Sequence, residues 1–238
     1  MLFIHIGTQK TGSSSIQHVL AGNERILNTK SFHYVRAGRD HFRKTRIHHN
    51  PIAAAIKGKQ DAKILTSLTR ELKKSDHAHL IISGELLSQI GIATPLADLI
   101  PANLREETKV ITYLRRPDLY IESLYKQRVK SGDINPSPTA FLERQLDGLM
   151  HDAVLSEYEA AFGRQSIVLK PYDRRSLVHG DVVEDFLSTV NFQFGSELTR
   201  PARDANTSFS AAFSEISGIA VRKLSVDSPL ITLSLIHI

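Results

Sequence analysis

Cysteine is absent from the 238-residue chain, so neither a disulfide framework nor a thiolate metal site can be built from it. No apolar run approaches the roughly 20 residues that a membrane-spanning helix needs. The first residues lead straight into a strand pattern without a charged-then-apolar leader, so a cytoplasmic protein with no membrane span is expected. Internal repeats, low-complexity tracts and an interdomain linker are also missing. Nor is there a large excess of one charge: 30 Lys and Arg against 25 Asp and Glu give a formal +5. A small polyanionic ligand accounts for that balance as well as a nucleic acid does, and no nucleic-acid partner is expected. What remains is an ordinary soluble composition, 41% hydrophobic, long enough for one α/β domain to bury its core without crosslinks.

The most informative stretch is residues 1–17. Leu2 to Ile6 is a short apolar run bounded by Gly7, which reads as a buried strand. Ser13 to Leu20 reads as the first turns of a helix. Between them, Gly7-Thr8-Gln9-Lys10-Thr11-Gly12 holds two glycines, a lysine and hydroxyls. Strand, glycine-bearing loop and helix N-terminus together make an anion site, where loop N–H groups and the helix dipole converge and Lys10 adds a full positive charge. The spacing of Gly7 and Gly12 is that of a nucleotide triphosphatase loop, G-x-x-x-x-G-K-[ST]. However, Ser13 stands in the lysine's place and the lysine sits inside the loop.

That arrangement resembles the 5′-phosphosulfate loop of sulfotransferases dependent on 3′-phosphoadenosine 5′-phosphosulfate (PAPS), whose K-x-G-[ST]-[ST] pattern is matched by Lys10, Thr11, Gly12, Ser13 and Ser14. A second stretch fits the same family. Lys109 to Leu114 reads as a strand running into Arg115-Arg116-Pro117, with Pro117 suited to a helix start and Ser123 two turns in. The resemblance is to the signature whose Arg, two residues before Pro, and Ser, six after it, bind the cofactor's 3′-phosphate. Arg116 stands where the family often has Asn.

The resemblance implies a three-layer, P-loop-like α/β fold with a mainly parallel sheet and helices on both faces. It further implies PAPS as donor and transfer of a sulfuryl group to a hydroxyl or amine, with a small molecule or a carbohydrate as acceptor. Lys10 would stabilise the bridging oxygen. The N–H groups of Thr11 to Ser14, with the hydroxyls of Ser13 and Ser14, would hold the 5′-phosphate, and Arg115 with Ser123 the 3′-phosphate. Glu85, just past the apolar strand His79 to Ser83, is the best match for the catalytic base. It also suits a helix start, where a carboxylate complements the macrodipole. His5, His41, His48 and His49 are the rival bases, and His5, inside the first strand, reads as a packed residue. Two other classes stay open: a P-loop kinase of a small metabolite, and a non-catalytic nucleotide- or polyanion-binding module.

The rest of the chain alternates in the same way. Ser31 to Val35 is a second short strand, Asp61 to Ser75 an amphipathic helix, and His151 to Phe162 a helix stopped by Gly163. Ser166 to Lys170 is a further strand, followed by Tyr172-Asp-Arg-Arg175, and Gly180-Asp181 opens a helix through Val190. The basic, histidine-rich segment 40–50 is expected to be a solvated loop near the acceptor. His48 and His49 are adjacent and no carboxylate completes a ligand spacing, so no metal is expected. A cap at Ser137 before Phe141, and a late helix containing Phe213 and Leu224, are further expectations. Residues 1–232 are expected to form a single domain. Residues 233–238, Leu-Ser-Leu-Ile-His-Ile, match one translation frame of a transposon-end sequencing adapter and are expected to be non-native.

Overall fold

The computed structural model describes residues 1–39, 47–130, 141, 151–193, 195 and 198–200. The Ser137 cap, the helix around Phe213, His41 and the adapter-like tail lie outside these residues. The chain divides into two compact units, a larger one of Met1–Arg115 with His151–Ala202 and a smaller one of Arg116–Met150 with Arg203–Ile238.

The larger unit is built on five parallel strands: β1 (Leu2–His5), β2 (Phe32–Tyr34), β3 (His79–Ser83), β4 (Thr108–Leu114) and β5 (Ile167–Pro171). Their order is β2-β3-β1-β4-β5, with β1 in the middle. A parallel neighbour can be reached only by a crossover, and crossover helices cover both faces of such a sheet. That is why the central strands read as unbroken apolar runs. Side chains alternate between the faces: Leu2, Ile4, Leu80, Ile82 and Val110 join one core, Phe3, Ile81, Ile111 and Tyr113 the other.

The first core is closed by α3 (Asn50–Ile56), α4 (Lys63–Lys74), α5 (Ala93–Leu99) and α8 (His151–Phe162); α6 (Ala102–Glu106) lies between α5 and β4. The second is closed by α1 (Ser13–Gly22), α2 (Glu24–Thr29) and α9 (Val182–Thr189), whose N-cap Asp181 accepts the N–H groups of Val183 and Glu184. The amphipathic α4 sends Leu68 and Leu72 fully inside, each contributing about 1.5–3 kcal/mol of burial. In the smaller unit, α7 (Pro117–Lys130) packs Tyr125 and Val129 with Phe141.

Three expectations are refined. The helix start expected at Glu85 is that of a single 3-10 turn, Glu85–Ser88. The segment before Asn50 is not wholly solvated: His49 is fully buried, because its ring nitrogens bond backbone groups of Val35 and Ser83. Helix α3 then begins at Asn50, a helix that the histidine-rich composition around it conceals.

Candidate active site

The C-terminal ends of β3, β1 and β4 lie side by side, because His5 pairs with both Ser83 and Ile111. The segments leaving these three strands therefore converge on one rim of the sheet, the place where parallel α/β sheets bind ligands. After β1 comes the Gly7–Ser14 loop, after β3 Gly84 and Glu85, and after β4 Arg115.

The loop is seated on β4. Tyr113 N–H donates to Gly7 O at 2.8 Å, Thr8 N–H to Tyr113 O at 3.1 Å, and the Thr112 hydroxyl to Gly7 O at 3.1 Å. Its hydroxyls turn inward: Thr11 Oγ1 and Ser13 Oγ both donate to Thr8 O, at 2.6 and 3.1 Å. Lys10 and Gly12 adopt left-handed backbone, φ 62° and 77°. Gly12 is the N-cap of α1 and brings no capping side chain. The N–H groups of Thr11, Gly12, Ser13 and Ser14 consequently have no acceptor among the described residues. Four successive donors at a helix N-terminus, with a lysine in the same loop, suit a phosphate or sulfate group. The buried Ser13 hydroxyl donates to Thr8 O within the loop.

Glycine is required at Gly12 for space as well as for φ. A Cβ there would lie 2.7 Å from Val182 Cγ1 and 3.4 Å from the Tyr172 hydroxyl. At Gly7, φ 96°, a Cβ would come 3.4 Å from Glu85 Cα. Glu85 thus packs against the loop itself. Burial pushes its carboxyl above the usual carboxylate range, and the positive charge of Lys10 opposes that rise. Arg115, half-buried, donates from Nη1 to Lys10 O at 3.3 Å, and its guanidinium lies 5.8 Å from the centre of the Tyr172 ring.

Lys10 to Ser14, Glu85 and Arg115 therefore all belong to the larger unit and to the same rim. Ser123 belongs to the smaller unit, on α7, with its side chain buried. His5 is no part of the rim. It is fully buried, its Nδ1 is 2.8 Å from Ser83 Oγ, and burial holds its pKa down to about 3. His49 is likewise held at about 3 by burial, with the Arg39 charge adding to the effect. Tyr172 is not among the site residues that the sequence motifs pick out. The signal for it is an aromatic residue immediately past a strand and ahead of two arginines.

No family model matches the chain. The fold is similar to that of a solved bacterial protein: the crystal structure of a sulfotransferase from Alicyclobacillus acidocaldarius superposes with a TM-score of 0.52, covering 94% of each chain at 13% identity. An uncharacterised protein of Archaeoglobus fulgidus is 30% identical over 145 residues, 61% of this chain and 38% of its own length. Among the described residues, no helix is long and apolar enough to cross a membrane.

Proposed function

We propose that the protein transfers a sulfuryl group from PAPS to a hydroxyl or amine acceptor, a small molecule or a carbohydrate. The observation that carries this reading is the row of N–H groups from Thr11 to Ser14 that have no acceptor among the described residues, set beside Lys10, Glu85 and Arg115 on one rim. The sulfotransferase fold of the structural neighbour supports it. The donor-set chemistry fits PAPS: backbone N–H groups and a lysine for one phosphate, a guanidinium for another.

PAPS supplies an activated sulfuryl group, whose bond from sulfur to the bridging phosphate oxygen breaks as the bond to the acceptor oxygen or nitrogen forms. The chain's own residues position and stabilise. The N–H groups of Thr11 to Ser14 hold the 5′-phosphate, and Lys10 stabilises negative charge on the bridging oxygen. Arg115, with Ser123 assigned to the same role, holds the 3′-phosphate. Glu85 takes the acceptor's proton and later passes it to solvent. Its raised carboxyl makes it a stronger base than a solvated glutamate.

The test is a thermal-shift panel. Adenosine 3′,5′-bisphosphate should stabilise the protein more than AMP, ATP or heparin at equal concentration. Equal shifts with the bisphosphate and AMP would overturn the assignment. A larger shift with ATP and magnesium would point instead to a kinase.

A further inference from the structure

Glu85 is held on one side by Gly7, and the opposite side of its turn is held by a segment that has no place in the cradle. Gly84 is buried, and a Cβ on it would lie 3.0 Å from the His49 carbonyl carbon and 3.1 Å from both N and Oδ1 of Asn50. The peptide leading into Glu85 is therefore packed directly against His49–Asn50. Hydrogen bonds reinforce the contact at each step. His49 N–H donates to Ser83 O at 2.8 Å. The His49 ring is seated on backbone groups at both nitrogens: Nε2 lies 2.7 Å from Val35 O, and Nδ1 lies 3.0 Å from both N and O of Ser83. Asn50 Oδ1 accepts the N–H of Leu86 at 2.9 Å, satisfying an amide in the first turn that begins at Glu85.

We propose that His49 and Asn50 are positioning residues for Glu85, a clamp that fixes its carboxylate against the loop while leaving the phosphate cradle itself untouched. The inference rests on the reading of Glu85 as base. Neither residue is assigned any contact with donor or acceptor. The polar choice at these positions has a geometric cause: without an acceptor from outside the turn the Leu86 N–H would be orphaned. An apolar residue in place of His49 would take from the Ser83 N–H its ring acceptor in a fully buried site, while Val35 O would keep the Arg39 Nε donor. Acting through Glu85 has a distinctive signature. Loosening the clamp should lower turnover without weakening cofactor binding, and should do nothing further once the carboxylate is gone.

The experiment uses the full chain with Asn50→Ala, Glu85→Gln and the double variant. Donor hydrolysis is measured as release of bisphosphate from PAPS with water as acceptor, and bisphosphate affinity is measured by calorimetry. Asn50→Ala should lower kcat at least tenfold and change the bisphosphate Kd by less than about threefold. In the Glu85→Gln background the same change should alter kcat by less than about twofold. Deuterium exchange should rise across residues 84–88 but not 10–16, and Asn50→Asp, which keeps an acceptor for Leu86 N–H, should restore protection. Equal loss of kcat in both backgrounds, parallel loss of bisphosphate affinity, or unchanged exchange at 84–88 would each overturn the clamp. If Glu85→Gln itself turns over normally, the base reading fails and the clamp's catalytic role falls with it. If Glu85→Gln is impaired and Asn50→Ala is not, the clamp alone is refuted.

Discussion

The guanidinium of Arg115 donates to the main-chain carbonyl of Lys10 at 3.3 Å, tying the residue after β4 to the left-handed turn of the loop after β1. One arginine thus supports the loop's shape and presents charge on the same rim. Arg115→Ala should erase most of the difference in stabilisation between adenosine 3′,5′-bisphosphate and AMP. A charge-assisted phosphate contact contributes about 1.5–3 kcal/mol. A smaller loss of AMP binding should accompany it, from the missing bond to Lys10. Calorimetric titration of both nucleotides measures the two effects, and an unchanged preference for the bisphosphate would remove Arg115 from the 3′-phosphate site.

Base and phosphate grip should separate kinetically. Glu85→Gln keeps size and shape but loses the basic carboxylate, so bisphosphate affinity should stay within a few-fold while turnover falls by roughly 10²–10⁴. Lys10→Ala should reduce both, because one charge serves ground state and transition state alike. Normal turnover of Glu85→Gln with a real acceptor would leave Glu85 only a turn-starting residue. Its replacement as base would then have to come from outside the buried histidines, since His5 and His49 are both sealed from solvent.

Gly12→Ala tests the cradle's backbone. The new Cβ meets Val182 Cγ1 at 2.7 Å, and the residue must hold φ 77°, so a loss of about 1–3 kcal/mol in denaturant unfolding is expected, together with weaker bisphosphate binding. Gly22→Ala, at the end of α1 with nothing within 4 Å of the added carbon, is the control. It should be neutral or slightly stabilising.

Acid sensitivity should begin well above the carboxylate range. His5 and His49 have folded pKa values of about 3 against 6.5 when unfolded. Below pH 6.5 the unfolded chain therefore binds protons that the folded chain refuses, and stability falls as pH falls. Between pH 7.5 and 5.5 each histidine should remove about 1.4 kcal/mol. Glu71 acts in a different window. Burial raises its pKa, but hydrogen bonds from His33 and the N–H groups of Arg36 and Ala37 outweigh that and bring it from 4.5 to about 2. Its contribution is complete above pH 4.5 and is lost between there and pH 2. Urea unfolding at pH 7.5, 6.5 and 5.5 measures the first window. A flat profile would show that the two imidazoles are not sealed as neutral groups.

Much of the sheet is legible in the sequence because a parallel strand buried on both faces needs an unbroken apolar run, and Leu2–Ile6, His79–Ser83 and Lys109–Leu114 each present one. The cradle is legible because its glycine spacing and helix start are local in sequence. Its supports are not. That Val182 and Tyr172 fill the space beside Gly12, or that Ser13 turns its hydroxyl back to Thr8, depends on elements that meet only in three dimensions. His49 reads wrongly as solvated because a run of His, Arg and Lys looks polar. A single histidine can still be buried when both ring nitrogens find backbone partners.

The central position of β1 has a bearing on how the molecule is made. Leu2 pairs with Leu80 on one side and Thr108 on the other, so this strand finds neither neighbour until much of the larger unit has been synthesised. Thr8 N–H, the first ligand-loop amide fixed by the sheet, needs the carbonyl of Tyr113. Loop closure over such separations is slow compared with helix formation. The Gly7–Ser14 loop is therefore among the late features to take shape, and until then the apolar strand before it is cargo for whatever shields nascent chains from aggregation.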